Sequence, residues 1–131
     1  MDIEPPPPIP SGVSCDGAVE LCRDWMRYLG ATDAVVASGH VRETCDLYSS
    51  RFVAWVDHHR GNLEPDLVEH AALVSSADGR RALVFVRGGV FPAAKRRADA
   101  LGVALFCYVA IDGSLEGANP LGFKLRADGL N

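Results

Sequence analysis

The chain has 131 residues, 48% of them hydrophobic, and a formal net charge of −4, which suits one hydrophobic core and is too little for two. An acidic balance argues against a broad nucleic-acid surface, which needs clustered Lys and Arg, but leaves room for a local basic patch. No run approaches the ~20 apolar residues of a membrane span. The four cysteines lack the close spacing of zinc or redox sites, and the start of the chain is acidic and proline-rich, so the expectation is a cytoplasmic domain with buried thiols and no membrane partner.

Pro5 to Pro8 and Pro10 make residues 1–13 a disordered, polyproline-like tail, leaving 14–131 as a single domain. Asp16 is placed to cap a helix in which Ala18, Leu21, Cys22, Trp25, Met26 and Leu29 recur on one face before Gly30 stops it. Asp33 to Ser38 reads as a strand. Residues 43–48 and 52–57, apolar and rich in β-branched and aromatic types around Ser49-Ser50-Arg51, read as an antiparallel hairpin. Strand parity then sets Trp55 and Asp57 on one face, with Ala54, Val56 and His58 on the other.

Pro65 opens a second helix through about Ser76, and Asp78-Gly79 marks a turn. Ala82 to Val86 and Val103 to Ala110 are continuous apolar runs, the pattern of strands covered on both faces. Between them Pro92 opens a third helix, closed by Gly102, so 82–110 predicts a βαβ unit and a parallel pair. Residues 111–131 promise turns and one short strand around Phe123–Leu125. The sum is an α/β, three-layer sandwich around a mixed β-sheet, in the order αβββαβαβ.

Several strings within 15–110 resemble the Mrr-like branch of the restriction endonuclease-like superfamily. They are Trp25-Met-Arg-Tyr-Leu-Gly30, Cys45-Asp46-Leu47, His59-Arg60-Gly61 leading to Pro65-Asp66-Leu67-Val68, and Leu83-Val-Phe-Val-Arg-Gly-Gly89 followed by Pro92 to Val103. The resemblance implies a restriction endonuclease-like fold. In that family DNA is cut by an acid on the second strand and a Gln or Glu, one spacer, then Lys on the third, often helped by a glutamate of the first helix. Carboxylates hold a divalent ion that activates water, and the ammonium steadies developing charge. Asp46 falls on the strand-two acid, but Trp55 stands for the Gln or Glu, Asp57 for the Lys, and Val19 for the helical glutamate, with Glu20 one residue away. An indole cannot ligate magnesium, and a carboxylate in place of the ammonium reverses a favourable electrostatic contribution.

The resemblance therefore implies a degenerate nuclease domain needing no cofactor. Its role would be a scaffold for a protein partner, a homodimer or DNA, with Phe52 and Trp55 plugging the old cleft or meeting a twin subunit. The alternative is an active, metal-dependent endonuclease with a rearranged site. Asp46 and Asp57 would be catalytic there, and Asp46, Asp57 and His59, or in its place Glu43 or His58, would hold magnesium or manganese. His40 and His70 suit bland positions at a strand end and on a helix face. For DNA the candidates are Arg87, Lys95, Arg96 and Arg97, part of a run of basic residues that begins at Arg80 and Arg81.

Overall fold

The computed structural model describes residues 5–7, 15–59, 61–109 and 111–130. Most of the proline tail and the side chain of Asp16 lie outside them. The elements are α1 (Cys15–Tyr28), β1 (Val35–Val36), a 3-10 turn (Gly39–Glu43), β2 (Leu47–Tyr48), β3 (Phe52–Asp57), α2 (Pro65–Asp78), β4 (Arg81–Val86), α3 (Pro92–Leu101), β5 (Ala104–Tyr108), β6 (Leu115–Gly117) and α4 (Pro120–Asp128). Six strands form one sheet in the order β1-β2-β3-β4-β5-β6. β3, β4 and β5 are parallel, while β1, β2 and β6 are antiparallel to their neighbours. This is the mixed α/β sandwich expected. Among the described residues, no helix is long and apolar enough to cross a membrane.

The apolar stripe read in α1 is its buried face, and Val19 joins it at 6% exposure. Gly30, at φ 124, ends the helix: Ala31 N–H reaches back to Met26 O and Gly30 N–H to Arg27 O, a paired closure that needs the positive φ glycine adopts freely. α1 and α4 cover one face of the sheet with Ala54, Leu83, Phe85, Phe106 and Tyr108, whereas α2 and α3 cover the other with Val53, Trp55, Val84, Val86 and Leu105. Burial on both faces explains why β4 and β5 read as unbroken apolar runs. Of the free cysteines described, Cys22 and Cys45 are buried and Cys107 half-buried, and loss of water around each pushes its thiol up.

Several expectations change. The strand predicted over 43–48 is cut to Leu47–Tyr48, because Thr44 and Cys45 N–H both turn back to Val41 O. The strand predicted around Phe123–Leu125 is instead the middle of α4, and the last strand is β6. Asn119-Pro120, read as a turn, is a helix start: Asn119 Oδ1 accepts from Gly122 N–H at 2.8 Å and Pro120 takes the first helical position.

Asn119 is fully buried and uses its whole amide. Its Oδ1 also accepts from Leu105 N–H at 3.0 Å, and its Nδ2 donates to Val103 O at 2.9 Å and Asp99 Oδ1 at 3.0 Å. The residue thus joins α4 to β5 and α3. Asn119→Ala leaves several buried groups without partners and is expected to destabilise the fold by about 3 kcal/mol or more, read as a lower urea midpoint. A loss below about 1 kcal/mol would mean that water replaces these bonds. Gly122→Ala should be worse tolerated, since an added Cβ would lie 1.9 Å from Leu105 O.

Candidate functional site

Because β2 runs against β3, the start of β2 and the ends of β3, β4 and β5 lie along one edge of the sheet. That edge carries Asp46, Asp57, His58, His59, Arg87 and Tyr108. It is the region to which the sequence assigns chemistry, and carboxyl ends of parallel strands are where ligands of open α/β sheets bind.

Asp46 is held on every side. Its backbone N–H bonds to Ala54 O at 3.0 Å, one residue out of the Leu47–Ala54 register, as in a β-bulge, and its carbonyl accepts from Ala37 N–H at 2.9 Å. Its carboxylate is engaged through both oxygens: Oδ2 accepts from Val56 N–H at 2.8 Å and Oδ1 from Arg42 Nε at 3.0 Å. Val56 N–H thereby bonds a side chain where the ladder ends.

Beside it, Trp55 is 5% exposed and donates its indole N–H to Thr44 O at 2.8 Å, with its ring edge-on to His70 at 5.9 Å. Asp57, next but one along β3, bonds Nδ1 of the exposed His59. Asp57 accepting that N–H, and secondly its charge, raise His59 above the usual 6.5. On the opposite parity, His58 Nδ1 lies 2.5 Å from the Tyr108 hydroxyl and Nε2 lies 3.4 Å from Arg87 Nη1. A guanidinium only donates, so His58 Nε2 is the accepting partner in the Arg87 contact. This His58, Tyr108 and Arg87 grouping was not recognised as a unit in the sequence, although parity already set His58 opposite Trp55.

The sheet separates residues that the family pattern would need together. Val19 packs on the α1 side with Ala54, whereas Trp55 packs on the α2 side. A carboxylate from α1 would therefore meet the row Ala54, Val56 and His58, which also lacks an acid followed at two residues by lysine. Phe52 and Trp55 likewise lie on opposite faces, at 2% and 5% exposure, so they do not fill one cleft together or present a shared surface to a second subunit. Among the described residues no three His, Cys, Asp or Glu side chains gather closely enough to hold a metal ion. Asp46, Asp57 and His59 are thus not brought into one set. Glu43 is exposed and faces His40 at 3.7 Å.

The basic run divides between two edges. Arg80 pairs with Asp78 and lies over the Tyr48 ring, and Arg81 lies over Phe52, all near the start of β4. Arg87 follows the other end of this six-residue strand, about 20 Å away at the usual rise. On α3, Arg97 pairs with Glu69 at 2.9 Å, while Lys95 and Arg96 are exposed and enter no ion pair among the described residues. A cavity of about 350 Å³ at the far edge is lined by Asp33, Ser49, Ser50, Arg51 and Leu130 among others, with the Asp33 carboxylate accepting from Ser50 N–H at 2.9 Å.

Comparison with protein-family models, with curated proteins and with solved structures finds no match to this chain.

Removing the Asp46 carboxylate strands Val56 N–H and frees Arg42. Asp46→Ala is expected to lower stability by about 2–3 kcal/mol, most of it from the charged acceptor and little from the exposed ion pair. Asp46→Asn, which keeps an oxygen acceptor, should lose about half as much, and equal losses in urea melts would place the main contribution in the charge pair instead. A second expectation concerns His59. Its folded value is raised, so the Asp57 contact stabilises fully below pH 6.5 and fades as pH climbs through the raised value. Asp57→Asn should return the His59 NMR titration midpoint to about 6.5; an unmoved midpoint would separate the two side chains.

Proposed function

We propose that the chain is a restriction endonuclease-like domain that no longer hydrolyses phosphodiesters and serves as a self-associating scaffold for protein contacts. The observation that carries this reading is the commitment of both Asp46 carboxylate oxygens to the fold, one to a backbone amide and one to Arg42. A metal ion at Asp46 would have to compete with the Arg42 guanidinium and share the carboxylate with Val56 N–H, which closes the β2–β3 ladder. Trp55, filling the α2 side of β3 with its only polar atom satisfied by Thr44 O, offers no ligand. Neither parity of β3 supplies the ammonium that steadies a phosphoryl transition state.

The element order from α1 to β4, with a mixed sheet between helical layers, supports the family resemblance. A degenerate member of such a family retains its helix surfaces and sheet edges, and these are what a partner meets. DNA is the second reading, favoured by one observation: Lys95 and Arg96 stand exposed on α3 and without acidic partners among the described residues. Arg97, already paired with Glu69, and Arg87, turned to His58, add less.

Purified protein incubated with linear and methylated DNA in magnesium or manganese is expected to give no cleavage. Cleavage that disappears in Asp46→Asn would overturn the reading and restore Asp46 and Asp57 as a working, rearranged site. Under the DNA reading, binding falls steeply between low and physiological salt and is weakened by Lys95→Glu with Arg96→Glu. Binding indifferent to both changes would remove α3 from any DNA contact.

A further inference from the structure

α2 and α3 lie side by side on one face of the sheet, their inner sides buried through Val68, Ala71, Ala94 and Ala98. On the outer side the seam between them is a groove of about 420 Å³ lined by Glu69, Ala72, Leu73, Ser76, Arg97 and Leu101. Leu73 is 71% exposed and Leu101 39%, so neither is held by the core of its own chain. A large aliphatic side chain standing beside an apolar groove is covered favourably by another surface, at roughly 25 cal/mol for each Å² removed from water.

The charges bordering the groove say which surface. Glu69 and Arg97 pair at 2.9 Å across it with 48% and 49% of their side chains exposed. An exposed pair of this kind contributes about 0–1 kcal/mol within one chain, so the buried alanines, not the ion pair, hold α2 to α3. What the pair does is set one acid and one base beside the same apolar strip. Such a patch is complementary to itself: a two-fold rotation brings the acid of each copy to the base of the other, whereas a patch of one sign would repel its own copy. Glu69 on the rim also disfavours a nucleic-acid phosphate here.

We propose that a second copy of this chain docks on the α2–α3 groove through a two-fold contact, with Leu73 and Leu101 of each copy packed into the groove of the other and Glu69 of each facing Arg97 of the other. This rests on the self-association in the reading above and places the contact on the helical layer, away from the β2–β3 hairpin.

Light scattering coupled to size-exclusion chromatography is expected to give twice the chain mass for the wild type. Leu73→Asp should give a single chain mass that still unfolds cooperatively, at the midpoint the wild type shows once diluted to single chains, because the side chain is exposed within its own chain. Glu69→Arg makes the patch wholly basic and Arg97→Glu wholly acidic, so each variant alone should be monomeric. Mixed in equal amounts they should recover the doubled mass, since opposite patches then meet. A purely intramolecular ion pair predicts no recovery on mixing, and that result would overturn the inference. A wild-type dimer that survives Leu73→Asp would overturn the groove alone and leave self-association standing. A wild type that stays monomeric at high concentration would overturn both, while the absence of DNA cleavage would remain a separate finding.

Discussion

The bond between the Asp46 carboxylate and Val56 N–H is the joint on which this edge of the sheet depends. An antiparallel ladder that stops after two residues leaves the next donor of the longer strand without a carbonyl. Asp46 supplies an oxygen instead, and the same residue ties β1 through Ala37 and the preceding turn through Arg42. A charged acceptor to an amide is worth more than an exposed ion pair, so the amide contact dominates and Arg42 orients it. The resemblance gives this position to the metal-binding acid, but in this chain the local hydrogen bonds use it to complete the sheet.

Around that joint, the chemistry a nuclease needs is dispersed by parity. Side chains of β3 alternate between the α1 layer and the α2 layer, which fixes Trp55 and Asp57 away from any group that α1 presents. Asp57 turns to His59 and His58 turns to Tyr108 and Arg87, so beyond Asp46 and Arg42 the ionisable groups of this edge form two separate groupings on opposite faces. The exposed leucines between α2 and α3 lie outside both cores.

Much of the architecture was legible because its signals are local and strong. The α1 stripe ending at Gly30, the proline starts of α2 and α3, and the unbroken runs of β4 and β5 correspond to observed elements. Asn119-Pro120 misled because the same pair serves a turn or a helix start, and only the buried donors of Leu105 and Gly122 decide it. At the site, residue types were legible but partners were not. Asp46 was marked by its place in a motif, yet its bond to Val56 depends on a shift of one residue in the ladder. The grouping of His58, Arg87 and Tyr108 depends on three strands in register, which no single segment encodes.

Whether Asp46 belongs to the sheet or to a metal is decided most directly by following backbone amides during a manganese titration in amide-resolved NMR. A structural carboxylate predicts that Val56 N–H keeps its hydrogen-exchange protection and that no selective paramagnetic broadening centres on Asp46, Leu47 and Val56. Selective, saturable broadening of those amides, with loss of Val56 protection, would show an ion taking the carboxylate from the ladder and would contradict the structural role.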